Sequence, residues 1–482
     1  MALDCDVVAV GCGPVGVMAA LRCAQQGLSV ISVDRSTEIY PHPRAIGMDD
    51  EIQRVFQAAG LLDRLDEVSS PVDGAEFVDV DGNRLVGLDL PPGMRGALGL
   101  PPIVMFEQPL VEGFLRRAAL DAGVDMRLGV EATAVEPDEP AITIRDVGGG
   151  DETTLRSKWV IAADGASSTV RRLIGIDVVD QGFDQQWLVV DATALVDDFE
   201  FPHIPTQVCS PERVVTLIPG HETRRRWEFQ LHDDETRAEF EAPERIAALL
   251  APWGGPDQLR LDRTAVYRFH ALVAERFRAG NVFLAGDAAH QMPPFNGQGM
   301  CSGIRDAQNL AWRLAMVDRG LAGEALLDGY DTERRPHSAR QVEHSADAGK
   351  LIDALAAGVD VDTAAGYGGG REFPHLEAGL LDGDHPAVGR QLPQPVIAGA
   401  PFDDLLGDHF TLLCRVDLDP AVEHWWADRG AQTVVVDDRL FGELIDEATT
   451  VIVRPDRYVA AVTDDLAATT SRLAAHLGVP FP

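Results

Sequence analysis

The chain has 482 residues, more than one ordinary core organises, so two or three domains are expected. Its formal net charge is −36, and only two of its cations are lysines, Lys158 and Lys350; such acidity argues against nucleic-acid or anionic-membrane partners and reads as a solvated acidic surface. Its six cysteines show no CxxC and no metal-ligand spacing, and no apolar run reaches membrane-spanning length, so no metal is expected and a reducing cytoplasm is the simplest compartment.

In chain order, CDVVAVGCGPVGVMAALRCAQQGLSVISVDR (5–35) reads strand, glycine turn, helix, strand, with no signal peptide before the first strand near Asp6. Val7, Val8 and Val10 predict a buried parallel strand. Val17, Ala20, Leu21 and Ala24 recur at helical spacing, and a second β-rich run ends at Asp34. From Pro71 to Leu100 the helical pattern fades. A helix is predicted over Gln108–Ala122, a hairpin over Arg127–Arg145, and a strand in WVIAADG (159–165). Residues 180–279 alternate as antiparallel strands (WLVVDATALV, RVVTLIP, RRWEFQL), and α/β character resumes at NVFLAGDAAH. Segments 1–70, 101–178 and 280–345 therefore form one discontinuous nucleotide-binding domain. Segments 71–100 and 179–279 form a mainly antiparallel β insert. A connector is expected over 346–390 and a small α/β domain over 391–482.

Three motifs carry chemistry. Gly11-Cys12-Gly13-Pro14-Val15-Gly16 lies between strand and helix: Gly11 permits the turn, Gly13 lets a pyrophosphate approach backbone, and Gly16 lets helix and strand pack. Asp34, 23 residues after Gly11, is placed for a ribose 2′-OH. Ala163-Asp164-Gly165 is either a second phosphate-and-ribose loop or a plain turn with a capping aspartate. In GDAAHQMPPFNGQGMCSG (286–303), Asp287 follows a strand, Pro293 and Pro294 stiffen an extended segment, and Gly297 and Gly299 clear side chains from a surface facing something flat. The helix opening near Gly299 aims N–H groups at a ring that becomes anionic on reduction. An extended dinucleotide with a planar redox ring fits all three. His290 reads as structural, and His337 and His344 match no ligand pattern.

These motifs in this order resemble the single-component FAD-dependent aromatic hydroxylases, over about residues 5–345. PRAIGMDDE (43–51), QWLVVD, RRWEF and GDAAHQMPPFNGQGMCSGIRDAQNLAWRL are similar to the branch acting on 3-(3-hydroxyphenyl)propionate, and the C-terminal stretch to the thioredoxin-like appendage of related hydroxylases, here without CxxC. The resemblance implies a Rossmann-like, glutathione-reductase-type FAD domain, with the β insert of 71–100 and 179–279 as the substrate-binding domain. It implies that Gly11, Gly13, Pro14, Val15, Gly16, Asp34 and Arg35 hold the ADP half of FAD, with Arg44, Gln108, Asp164, Gly286 and Asp287 along the dinucleotide and Pro294, Gly297, Gln298, Gly299 and Met300 against the isoalloxazine. Cys301 stands where many members of the wider family have Asn, which spares a backbone contact only.

The implied chemistry is hydride transfer from NADH or NADPH to FAD, with no second GxGxxG for that transient reductant, then O₂ capture as a flavin C4a-hydroperoxide and oxygen transfer to a phenol ring. Pro294 and Arg44 would lie near the reaction, and Tyr267, His203 and Tyr40 are candidates for favouring phenolate, against the plainer reading of packed residues. A carboxylated substrate would need a cation such as Arg213 or one of Arg224, Arg225 and Arg226, against the plainer reading of arginines paired with surface acids. Hydroxylation of a polycyclic or polyketide phenol, hydride transfer without O₂, and a non-catalytic dinucleotide module are the alternatives. A homodimer is expected from the family.

Overall fold

The computed structural model describes residues 2–139, 141–360, 375–397, 399–415, 417–436 and 450–482. Its first strand, β1 (Val7–Val10), is wholly buried and leads through the glycine turn into α1 (Pro14–Gln25) and β2 (Val30–Asp34). Pro14 opens α1 where its missing N–H costs nothing. Asp49 caps α2 (Asp50–Ala58) by accepting from Ile52 N, and α3 spans Gln108–Asp121. Strand β3 (Trp159–Ala162) follows, then the long β4 (Val178–Ala194), β5 (Arg224–Gln230), β6 (Leu259–Ala274) and β7 (Val282–Leu284). Two long helices, α4 (Gly299–Asp318) and α5 (Ala325–Ala356), come next. Residues 301–316 of α4 are all buried, so this helix runs through the interior.

Two sheets organise the site. In the first, β7, β3, β1 and β2 pair in parallel in that order, with Asp125–Leu128 beyond β2. The strands come from residues 7 to 284. The second, eight-stranded sheet centres on β6, β4 and β5, paired antiparallel. Its side chains alternate. Leu188, Val190, Trp227, Phe229 and Val266 face outward into a core closed by two short helices, Arg237–Phe240 and Pro243–Leu250, that the sequence reading does not anticipate. The opposite face carries Trp187, Val189 and Asp191 from β4, Arg226 and Glu228 from β5, and Arg263, Ala265 and Tyr267 from β6. That face looks toward the first domain: Arg226 donates to Pro43 O at 2.5 Å, and Trp187 packs edge-on against Phe295 at 5.3 Å.

Residues 346–356, expected as connector, continue α5. Leu351, Ile352, Leu355 and Ala356 are buried there against Trp187 and Cys209, so tertiary packing prolongs the helix. Of the remaining connector, 361–374 lie outside the described residues. The C-terminal segment forms a four-stranded sheet in the order Gln432–Val435, Thr411–Cys414, Thr450–Val453, Val459–Thr463, parallel only at its first pair; residues 437–449 are outside the described set. It meets α4 through Trp312, Met316, Phe410 and Trp426. A charged seam runs beside that apolar contact. Arg54 donates to Asp403 at 2.5 and 2.7 Å, Tyr458 OH to Glu51 at 2.6 Å, and Glu333 receives Arg313 at 2.6 Å and Arg454 at 2.8 Å. All three members of that last group are fully buried. Among the described residues no helix is long and apolar enough to cross a membrane.

Candidate active site

The glycine turn after β1 is dictated by contact. A Cβ on Gly11 would stand 2.3 Å from Ala163 O, and its φ of +103° suits glycine alone. A Cβ on Gly16 would stand 1.9 Å from Gly11 O. Gly13 differs: its φ is −77°, and a Cβ there would meet nothing within 4 Å. Gly13 is also the N-cap of α1, with no side chain capping the helix and no acid in its first turn. Open space in front of bare helical N–H groups is a seat for an anion. Asp34 closes the turn from below, accepting from Cys12 N at 2.6 Å and Ser36 N at 2.7 Å. Arg35 is exposed.

The third motif reaches the first through Val15. A Cβ on Gly286 (φ +60°) would touch Val15 Cγ2 at 3.1 Å, and one on Gly303 of α4 would stand 2.5 Å from the same methyl. Two loops some 270 residues apart in sequence thus pack on one side chain. His290, Asp306 and Arg334 lock the Gly286 turn in place. Asp306 accepts from Gly286 N at 3.0 Å, from His290 Nε2 at 2.7 Å and from Arg334 Nε at 2.8 Å. Burial alone would raise the Asp306 carboxyl, but His290 and Arg334 hold it below the usual range. Asp287 is open to solvent yet hemmed in by protein; the crowding raises its carboxyl, with His290 and Arg44 opposing. The Arg44 guanidinium thus acts on the Asp287 carboxyl.

Other expected residues have different work. Gln108 is buried with its amide committed: Oε1 accepts from Arg44 N (2.9 Å) and Ala45 N (2.7 Å), and Nε2 donates to Glu112 (2.7 Å). It shapes the 43–46 loop and leaves the Arg44 side chain exposed, 5.1 Å over the Tyr40 ring. Of the two readings of Asp164, the capping one fits the geometry: it accepts from Ser168 Oγ (2.5 Å), Thr169 N (2.7 Å) and Val170 N (3.0 Å). Arg171 donates to Ala288 O at 2.8 Å and so ties this turn to the Asp287 turn. Arg116 of α3, absent from the sequence reading, clamps Cys12 O at 2.9 and 3.2 Å.

After Pro293 the chain makes a single turn at Pro294–Asn296, reverses at Gly297 (φ +65°) and enters α4, whose N-terminus no side chain caps. Gln298 is buried, its oxygen held by Arg305 at 3.0 Å; Arg305 in turn reaches Asp49 (2.7 Å) and Glu51 (2.5 Å). Gly299 and Met300 are half-buried, and the Cys301 side chain is buried toward Gly47 O.

On the facing sheet, Tyr267 is half-buried. Its OH accepts from Arg263 Nη1 at 2.9 Å. Burial raises its phenol above the usual value, with Arg263 opposing and the neighbouring Tyr40 adding to the rise. Tyr267, Tyr40 and Arg44 thus come together. His203 lies exposed on the connection before Thr206–Val208. The arginines proposed for a substrate carboxylate are all engaged. Arg213 pairs with Glu235 at 2.6 Å, Arg224 with Glu107 and Asp262 at 2.8 and 2.6 Å, Arg226 with Asp191 at 2.7 Å, and Arg225 donates to the carbonyls of Glu222 and Arg224.

The family model described as "FAD binding domain" matches residues 4–345. This chain belongs to the FAD-dependent aromatic hydroxylase family. A 3-(3-hydroxy-phenyl)propionate/3-hydroxycinnamic acid hydroxylase of Mycobacterium sp. (strain JLS) is 38% identical over 72% of this chain and 60% of its own length. A protein of the same name from Mycolicibacterium smegmatis is 33% identical over 94% of this chain and 90% of its own length. The chain thus spans about 60% of the first relative it matches. Among solved structures, aklavinone-11 hydroxylase with FAD and aklavinone superposes with a TM-score of 0.82 at 24% identity, covering 99% of both chains. The flavin-dependent monooxygenase PieE with FAD and substrate gives 0.82 at 23%, covering 98% of this chain and all of its own. These likenesses carry the whole two-sheet fold.

Proposed function

We propose that this chain, with FAD bound, hydroxylates a phenolic ring using NADH or NADPH and O₂, and that 3-(3-hydroxyphenyl)propionate is the first substrate to try. The observation that carries the reading is the meeting of the first and third glycine turns on Val15, beside two uncapped helix N-termini. Gly13 and the start of α1 seat the pyrophosphate, Asp34 and Asp287 take ribose hydroxyls, and the start of α4 faces the flavin ring behind Pro294. A flavin held by these turns would supply hydride acceptance from the nicotinamide and activation of O₂, one oxygen atom going to the ring and the other to water. Trp187, Phe183 and Phe295, packed edge-on at 5.3 and 5.8 Å, form an apolar wall that keeps water from that chemistry. Tyr267, its oxygen held by Arg263, and the exposed Tyr40 give the phenolic proton a path outward.

One observation favours a second reading, a neutral polycyclic or polyketide phenol: of the arginines considered for a substrate carboxylate, Arg213, Arg224 and Arg226 are already paired with acids, and Arg225 donates to backbone carbonyls. The test is reconstitution with FAD, then a panel of phenolic acids and neutral phenols scored for NADH and NADPH oxidation, product mass and peroxide. A dihydroxylated product from one of them is the expected result. Reductant oxidation that no phenol accelerates, or a colourless protein that takes up no FAD, refutes the proposal. Gel filtration tests assembly as a homodimer.

A further inference from the structure

The sheet face that looks toward Phe295 and the 43–46 loop carries Asp191, Arg226, Arg263 and Glu228 among its charged side chains. The first three are tightly partnered. Asp191 binds both Arg226 (2.7 Å) and Arg263 (2.5 Å); Arg226 also reaches the carbonyls of Pro43 and Arg44, and Arg263 holds Tyr267. Glu228 is the exception. Its side chain is only 7% exposed, yet no described residue gives its carboxylate a hydrogen bond, and its nearest cation, Arg226 Nη1, stands at 3.7 Å. The residues paired directly across from it, Val189 on β4 and Thr216 on the other side, are short, as is Ala265 beyond Val189. Glu228 therefore stands among short neighbours on the face that carries Tyr267 and Trp187. A nearly buried carboxylate without a hydrogen bond is costly to keep. Its charge helps Asp191 balance Arg226 and Arg263, while its hydrogen-bonding capacity is left for a donor from outside the chain.

We propose that Glu228 accepts a hydrogen bond from a hydroxyl of the bound substrate, so that the site selects a ring presenting an O–H donor at the sheet face and turns away one presenting a carboxylate there. A carboxylate in that position would meet a like charge with little water between them, whereas a hydroxyl supplies the donor that Glu228 lacks. Burial, opposed by Arg226 and Arg263, raises the Glu228 carboxyl, which brings it nearer to a phenol's acidity and strengthens such a bond. The inference rests on the hydroxylase reading and gives it a substrate class.

The test uses FAD-loaded full-length protein and flavin-absorbance titration with resorcinol, 1,3-dimethoxybenzene and 3-hydroxybenzoate. Wild type is expected to bind resorcinol at least tenfold more tightly than either of the others. Glu228→Ala should cut the preference over the dimethyl ether below threefold with FAD content unchanged. Glu228→Gln, which keeps the shape and adds an N–H donor, should bind both the ether and the benzoate more tightly than wild type does; it also serves if the alanine variant folds poorly. Unchanged preferences in both variants overturn the role of Glu228 while leaving the hydroxylase reading intact. A wild type whose flavin spectrum and NAD(P)H oxidation answer to no phenol overturns both.

Discussion

Gly13 and Gly16 stand one helical turn apart, and the geometry assigns them opposite sensitivities. At Gly16 an added methyl would sit 1.9 Å from a backbone oxygen, more than 1 Å inside the 3.0 Å that real Cβ contacts respect. Backbone cannot swing aside as a side chain does, so Gly16→Ala must push α1 off β1, at a cost of about 1–3 kcal/mol or more. That lowers the Tm by roughly 2–4 °C per kcal/mol in a domain of this size. At Gly13 the backbone is one any residue adopts, and the new methyl meets no protein atom. The poorer N-cap and the stiffer unfolded chain nearly cancel, leaving the FAD-free protein within about 1 kcal/mol of wild type. The methyl does fill the space assigned to the pyrophosphate, so Gly13→Ala should weaken FAD binding at least tenfold, about 1.4 kcal/mol. Thermal melts of apoprotein and fluorescence titration with FAD separate the two effects. Gly13→Ala binding FAD within twofold of wild type would show that the dinucleotide lies elsewhere; Gly16→Ala melting like wild type would show that the helix is not seated as described.

Three further outcomes follow from particular side chains. Tyr267→Phe leaves Arg263 paired with Asp191 at 2.5 Å, so FAD content and Tm should hold while product formed per NAD(P)H falls about tenfold, read by product mass against peroxide. Asp306→Asn strands the buried Arg334 and weakens the His290 contact, for a loss of roughly 3–5 kcal/mol in chemical denaturation together with lower FAD occupancy. Asp50 is driven up to about 7, first by burial and then by its neighbours Asp49 and Glu51. A carboxyl whose folded value is raised contributes stability that is lost as pH climbs from its unfolded value of 3.8 toward about 7. Asp50→Asn should therefore match wild type at pH 4, gain by roughly 1.4 kcal/mol per pH unit at most across that window, and hold its advantage at pH 8; an equal Tm difference at both pH values contradicts it.

The glycine turns are legible in sequence because their causes are local. Gly16 is required by an oxygen five positions earlier, and the strand and helix around it declare themselves by periodicity. The partners of Gln108 and Arg116 lie 64 and 104 residues away, so the hydrogen bonds that fix the 43–46 loop and Cys12 O are not legible in sequence. His203 enters the reading on residue type alone, and nothing local reveals that it is exposed. The end of α5 is different: Leu351, Ile352 and Leu355 already mark one helical face, and the Gly- and Ala-rich stretch around them masks that signal. Residue type finds Arg226, but its commitment to Asp191 and the 43–46 carbonyls emerges only when three strands are aligned.

The family model ends at residue 345, yet Glu333 within it receives Arg454, and Glu51 beside the flavin loop receives Tyr458. A chain cut near 390 would uncover Trp312 and Met316 of α4 and leave Arg54, Glu51 and Glu333 without the partners the tail supplies. Such a fragment should aggregate rather than give a smaller working enzyme. Swapping tails between relatives should succeed only where the residues matching Arg54, Glu51 and Glu333 travel with their mates, so tail and catalytic portion are expected to be inherited as one piece.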